Sequence, residues 1–217
     1  MVMKHCIFDL DGTLLDTLAD LSAAVNHALR VNDMPTHTLE EIRWMVGNGV
    51  RKLMTRAVPD GDANPLFSKA FADFRQYYTA HSLDTTKPYE GIPQLLAELK
   101  GRGVRMAVVS NKIDTATKPL VRQFFGDYID VAIGESEGVS RKPAPDMVLR
   151  AMAELGLSRE DCVYIGDSDV DLQTARNSLL PCISVLWGFR DRAFLEGCGA
   201  DIFAERPQEI IQILEGM

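Results

Sequence analysis

The stretch His5-Cys6-Ile7-Phe8-Asp9-Leu10-Asp11-Gly12-Thr13 decides how the rest of the chain is read. Lys4–Phe8 is short and apolar, with a β-branched residue, which predicts a buried strand. It stops abruptly at two carboxylates. Residues two apart on extended chain face the same side, so Asp9 and Asp11 point together from the strand end. Gly12 lets the chain turn sharply there, with backbone amides able to face an anion. Neighbouring carboxylates repel one another unless they share a cation.

Downstream of this stretch the rhythm becomes helical. Leu18, Leu21, Val25, Ala28 and Leu29 recur at helical spacing. Thr38 and Glu41 have the spacing of a capping box for a second helix. After the break at Gly47-Asn48-Gly49, a third stripe runs through Val50, Leu53, Met54 and Ala57. Asn64 and Pro65 have the character of a cap and first residue for a fourth helix, carrying Phe67, Phe71, Phe74 and Tyr78.

Beyond Lys87-Pro88 a helix through Ile92, Leu95, Leu96 and Leu99 leads into the apolar run Val104–Val109. Similar runs follow at Tyr128–Ile133, Cys162–Ile165 and Cys182–Leu186, with helical patterns around Thr115–Phe125, Asp146–Leu155 and Asp169–Asn177 between them. Near-continuous apolar strands alternating with helices predict a parallel sheet covered on both faces. The expected fold class is therefore α/β. A Rossmann-like core is expected from 1–15 and 86–217, interrupted by a small all-helical domain over 16–85.

Composition narrows the function classes. The 217 residues are 46% hydrophobic and 25% charged, typical of a soluble globular protein. The formal net charge of −8 argues against nucleic acid as a partner, since phosphate backbones call for basic patches. No apolar run approaches the roughly 20 residues of a membrane span. Met1-Val2-Met3-Lys4-His5 runs directly into the first strand, which leaves no room for a signal peptide, and the expected location is cytoplasmic. Cys6, Cys162 and Cys182 lie in strand-like stretches as expected reduced thiols, and the four histidines show no zinc spacing.

Ligands of open parallel sheets bind beyond the carboxyl ends of the strands. The polar residues there are Asp9, Asp11 and Thr13 after the first strand, and Ser110 and Asn111 after Val109. Asp167 and Asp171 follow Ile165, and Lys142 lies in the connection after Ile133. Three hard carboxylates suit Mg²⁺, a lysine suits phosphate, and the Ser110 hydroxyl with its neighbouring amides can hold phosphate oxygens. The combination points to phosphoryl transfer.

Asp9-Leu10-Asp11-Gly12-Thr13, Ser110-Asn111, Lys142-Pro143 and Gly166-Asp167-Ser168-Asp169-Val170-Asp171 resemble, in order, the four motifs of the haloacid dehalogenase superfamily. The helical insertion resembles that superfamily's small α-helical cap. Val46-Gly47-Asn48-Gly49-Val50-Arg51, Val108-Val109-Ser110-Asn111-Lys112 and Lys142-Pro143-Ala144-Pro145 are similar to its phosphoglycolate phosphatase-like branch.

The resemblance implies Asp9 as nucleophile and Asp11 as general acid and then base. It implies Mg²⁺ held by the Asp9 and Asp167 side chains and the Asp11 carbonyl, with no organic cofactor. Ser110, Asn111 and Lys142 are expected on the phosphoryl group, Thr13 bracing the loop, and Asp171 orienting Lys142 or a metal-bound water. The expected substrate is a small phosphorylated metabolite. Asn48, Gly49 and Arg51, at the start of a cap helix, are expected to choose it by holding a second anionic group such as a carboxylate. The chain itself is expected to be a monomer or weak homodimer.

The same motifs leave alternatives open. A β-phosphoglucomutase-like phosphotransferase or a pyrophosphatase would share them, and a receiver-like phosphate-sensing module would share the Asp, Ser/Thr and Lys set. A phosphonoacetaldehyde hydrolase would need a cap lysine, where Lys52 and Lys69 read as solvated helix faces.

Overall fold

The computed structural model describes residues 4–217. The chain opens with β1 (His5–Phe8) and the two-residue β2 (Leu15–Asp16). Next come α1 (Leu18–Arg30), α2 (Leu39–Met45), α3 (Gly49–Ala57), a 3-10 turn at Gly61–Ala63 and α4 (Phe67–His81). It returns through β3 (Lys87–Pro88) and then alternates. The order is α5 (Ile92–Gly101), β4 (Met106–Ile113), α6 (Asp114–Phe125), β5 (Val131–Glu135), α7 (Asp146–Leu155), β6 (Cys162–Gly166), α8 (Asp169–Ser178), β7 (Cys182–Val185), α9 (Arg192–Gly197), β8 (Phe203–Ala204) and α10 (Glu209–Glu215).

Six strands form one parallel sheet in the order β5-β4-β1-β6-β7-β8. Phe8 of β1 lies in register with Val108 on one side and Ile165 on the other. Alternation along β1 sends Cys6 and Phe8 to a core shared with Leu95, Leu96 and Leu99 of α5, Phe125 of α6 and Ile210 of α10. Ile7 faces the opposite core, built with Val148 and Ala151 of α7 and Leu172 of α8. Both faces are thus covered, as the continuous apolar runs required. The chain winds outward from β1 to β4 and β5, then crosses back to β6, so β1 and its neighbours flank the topological switch point.

The chain divides into two units. One comprises the described residues up to Leu15 with Pro88–Met217, the other Asp16–Lys87. β2 and β3, the two crossings, pair with each other. The second boundary falls two residues beyond the expected 85/86. The reason is Asp20 of α1, a buried carboxylate that accepts from the Thr85 and Thr86 amides at 3.1 and 2.9 Å and from their hydroxyls at 2.6 and 2.8 Å. These bonds tie both threonines to the helical unit.

Burial works against the Asp20 charge, but the four donors outweigh it and hold the carboxyl below its ordinary 3.8. A depressed folded-state value stabilises above the unfolded pKa and is lost as pH falls through the folded one. We expect Asp20→Ala to cost about 1.5–3 kcal/mol at neutral pH. The gap between variant and wild type in denaturant melts should narrow below about pH 4. An equal gap at pH 3 and pH 7 would show that the carboxylate charge contributes nothing.

Other boundaries moved for local reasons. The first strand begins at His5, and the expected reading of Met1–Met3 lies outside the described residues. β4 runs on to Ile113 instead of ending at Val109, with its pairing to β5 shifted between Val109 and Ile113. β5 begins at Val131, because Tyr128 is still bonded to the Phe125 carbonyl in the turn after α6. The Thr38–Glu41 capping box is present, but Asn64 closes a local turn by accepting from Leu66 at 2.8 Å, and α4 starts at Phe67. α9, β8 and α10 are short elements beyond the last strand that the periodicity predicted.

Candidate active site

The loop after β1 is a tight turn in which the amides of Thr13, Leu14 and Leu15 all bond to the Leu10 carbonyl. Gly12 holds φ +90°, and a Cβ there would lie 2.5 Å from Asp167 Oδ2. Only glycine therefore permits this turn against the end of β6. Thr13 Oγ1 donates to Asp167 Oδ1 at 2.9 Å, and the Phe189 amide donates to Oδ2 at 2.8 Å. Trp187 Nε1 donates to the Thr13 carbonyl at 2.9 Å, which fixes the loop after β7 to the loop after β1.

Lys142, 3% exposed, reaches into this cluster. Its Nζ lies 2.6 Å from Asp9 Oδ1, 2.8 Å from Asp171 Oδ1 and 3.1 Å from the Tyr164 hydroxyl. Tyr164 donates in turn to Asp171 Oδ1 at 2.9 Å. The other oxygen of Asp171 accepts from Ser168 Oγ at 2.5 Å and from the Ser168 amide at 3.2 Å, closing a capping box on α8. Asp171 thus caps a helix and anchors the lysine at once. Asn111 Nδ2 donates to the Lys142 carbonyl at 3.1 Å, and Ser110 Oγ accepts from the Lys112 amide at 3.1 Å.

Oxygens of Asp9, Asp167 and Asp171 lie within 4.8 Å of one another, all buried. Three carboxyl groups face one ammonium in a low-dielectric site, so that ionising all three would leave an excess of two negative charges. Burial, then Asp171, raises the Asp9 carboxyl well above its ordinary value, with Lys142 only partly offsetting them. Burial and then Asp171 push Asp167 up to about 7, against the pull of the Phe189 amide, Thr13 and Lys142. Asp171 stays below the ordinary range, because Lys142 and the hydroxyls of Ser168 and Tyr164 overcome its burial. Lys142 is held above its ordinary value by Asp171 and Asp9 in spite of burial.

Charge this unbalanced fits a hard divalent cation, and oxygen-only donors suit Mg²⁺. Each oxygen of Asp171 already takes two donors, whereas each oxygen of Asp167 takes one and Asp9 meets Lys142 through Oδ1, which leaves Asp9 and Asp167 as the carboxylates better disposed to a metal.

Asp11 is more open, and its carboxylate is paired with Lys112 Nζ at 3.0 and 3.1 Å. The expected group in the helical unit has its own partners. Arg51 pairs with Asp62 at 3.0 Å and lies over the Phe67 ring, 5.1 Å from its centroid. Asn48 Oδ1 accepts from Arg56 Nη2 at 2.5 Å, and Gly49 begins α3. An anion arriving at Arg51 would compete with Asp62. Lys69 is paired with Asp73 at 3.1 Å on α4.

Sequence reading gave no role to Lys112, Tyr164, Trp187, Gly188 or Phe189. Tyr164 gave a faint signal as the one hydroxyl in an otherwise apolar strand. Gly188 had one too, as a glycine just past the last predicted strand. A Cβ there would lie 2.3 Å from the Asp167 Cβ.

Comparison with known proteins bears on this arrangement. Residues 6–185 match the family model described as haloacid dehalogenase-like hydrolase. A phosphoglycolate phosphatase of Pseudomonas putida is 33% identical over 97% of this chain and 77% of its own length. One of Aquifex aeolicus is 28% identical over 98% of this chain and 97% of its own. A crystal structure from Lactobacillus delbrueckii subsp. bulgaricus, provisionally named a phosphoglycolate phosphatase, superposes with a TM-score of 0.94 at 37% identity, covering 99% of both chains. The family match spans β1 through β7, taking in all the carboxylates and Lys142, and the receiver-like reading is set aside. With its acidic cluster at the switch point of a six-stranded parallel sheet, the chain belongs to the haloacid dehalogenase-like hydrolase family.

Proposed function

We propose that the protein is a Mg²⁺-dependent phosphatase that hydrolyses a small phosphate monoester, with 2-phosphoglycolate favoured, through an aspartyl-phosphate on Asp9. The observation that carries this reading is the buried excess of carboxylate over ammonium around Asp9. The names of the relatives support the substrate class. Asp9 and Asp167 would hold the metal with the Asp11 carbonyl. When bound, the metal offsets the charge of Asp9 and of the incoming phosphate.

The chain's own residues do the rest. An Asp9 oxygen attacks phosphorus as the bond to the ester oxygen breaks. Asp11, carrying a proton taken from solvent once the ester has displaced Lys112 from it, gives that proton to the departing alkoxide, so the alcohol leaves neutral. The Asp11 carboxylate then takes a proton from water, whose oxygen attacks the same phosphorus and frees Asp9 with inorganic phosphate. Lys142, Ser110 and the Asn111 region hold the phosphoryl oxygens throughout. Asp171 keeps Lys142 aimed at Asp9, and Thr13 keeps Asp167 in place.

The test is hydrolysis by the purified protein of 2-phosphoglycolate, a size-matched neutral ester, a sugar phosphate, an aryl phosphate and pyrophosphate, with Mg²⁺ and with a chelator. We expect turnover of the monoesters with Mg²⁺, a fall of at least about 100-fold in chelator, and the highest kcat/KM on 2-phosphoglycolate. Full activity in chelator would overturn the metal requirement. Preference for the sugar phosphate would overturn the substrate and leave the phosphatase reading standing.

A further inference from the structure

We propose that Lys112 is a specificity residue that binds a carboxylate on the leaving group, so that the site takes phosphorylated 2-hydroxy acids. This inference rests on the reading of Asp11 as the group that meets the leaving oxygen. Two buried lysines divide the site between them. Lys142 lies on Asp9, whereas Lys112 lies on Asp11, bridging both of its oxygens at 3.0 and 3.1 Å.

Lys112 is also held firmly. Its amide donates to Ser110 Oγ at 3.1 Å, its carbonyl accepts from Thr117 Oγ1 at 3.1 Å, and its side chain is 6% exposed. The shifted pairing between Val109 and Ile113 lies in the same stretch of β4. Gly134 of β5 fits closely beneath it, where a Cβ would come 2.6 Å from the Lys112 carbonyl. The cation is therefore presented on rigid backbone at the carboxyl end of the sheet.

The leaving oxygen of a bound ester must come within hydrogen-bond reach of Asp11, about 2.6–3.2 Å. In a phosphorylated 2-hydroxy acid the carboxylate carbon is two bonds from that oxygen. An ammonium already bonded to Asp11 lies in the same shell, so the substrate carboxylate can take it over. Asp11 is thereby released to serve the leaving oxygen as the acid described above, and Lys112 keeps a counter-charge throughout. A neutral ester has nothing to offer Lys112, and Asp11 must leave its partner uncompensated to do the same work.

The experiment compares kcat and KM for 2-phosphoglycolate and for a size-matched neutral ester, with Mg²⁺, in wild type, Lys112→Met and Lys112→Arg. We expect the ratio of kcat/KM between the acid and the neutral ester to fall at least about tenfold in Lys112→Met, chiefly through KM for the acid, as loss of a charged hydrogen bond requires. Lys112→Arg should restore part of the preference. An equal loss on both esters overturns the inference and makes Lys112 a support for Asp11 alone. A wild-type protein that hydrolyses both esters without preferring the acid also overturns it, while leaving the phosphatase reading intact. No hydrolysis of either ester with Mg²⁺ is the outcome that instead removes the reading beneath it. Lys112→Gln replaces Lys112→Met if that variant does not fold.

Discussion

Asp9→Asn should lower turnover by about 10⁴-fold or more while the protein stays folded. The amide is nearly the same size as the carboxyl but cannot form an acyl phosphate. The folded state already disfavours the Asp9 charge, through burial and through Asp171 and Asp167 nearby. Removing that charge leaves Lys142 paired with Asp171 and relieves repulsion, so the melting temperature should hold or rise. Phosphate release and a thermal melt on the same preparation check both halves. Turnover near wild type in Asp9→Asn would sink the covalent mechanism, and a collapse of the fold would show that Asp9 is needed for structure as well.

Lys142→Met should damage both stability and catalysis. Lys142 is the ammonium between Asp9 and Asp171, and its removal leaves a buried cluster of carboxylates with no positive partner. Breaking a buried pair from one side costs about 3–5 kcal/mol. For a chain of this size each kcal/mol lowers Tm by about 2–4 °C. The double variant Lys142→Met/Asp171→Asn should recover part of the loss, because it removes the carboxylate left most exposed to repulsion. Denaturant melts of the single and double variants measure this coupling. A single variant as stable as wild type would mean that solvent or protonation already balances the cluster without Lys142.

The alternation of apolar runs with helical stripes was enough to indicate a parallel α/β sheet interrupted by helices, because a strand buried on both faces needs side chains that only such runs provide. Short elements at the end of the chain were not legible. β8 has two residues, α9 six and α10 seven, too few to establish a period. Asp9, Asp11, Ser110, Lys142 and Asp167 could be picked out because each follows or lies near an apolar run, at the one edge of such a sheet where ligands gather.

Some of what the sequence offered proved to be local. Asn64 reads as a helix cap, yet it closes a turn three residues before α4 begins. Arg51 is expected to hold a substrate anion at a helix start, and the structure adds that Asp62 and the Phe67 ring already contact it. Side chains that meet across the chain cannot be paired from spacing, since loop closure brings together residues separated by any length.

Periodicity and residue type, which are local properties, were enough for the α/β class and the helical interruption, and they brought the polar residues at the strand ends forward as candidates. The tertiary structure alone decided how the charges are shared. Lys142 meets Asp9 and Asp171 from 133 and 29 residues away, Lys112 meets Asp11 across 101 residues, and the Phe189 amide reaches Asp167 across 22. Whether a carboxylate is balanced, strained or ready for a cation depends on distance and burial in three dimensions, and the order of residues along the chain carries neither.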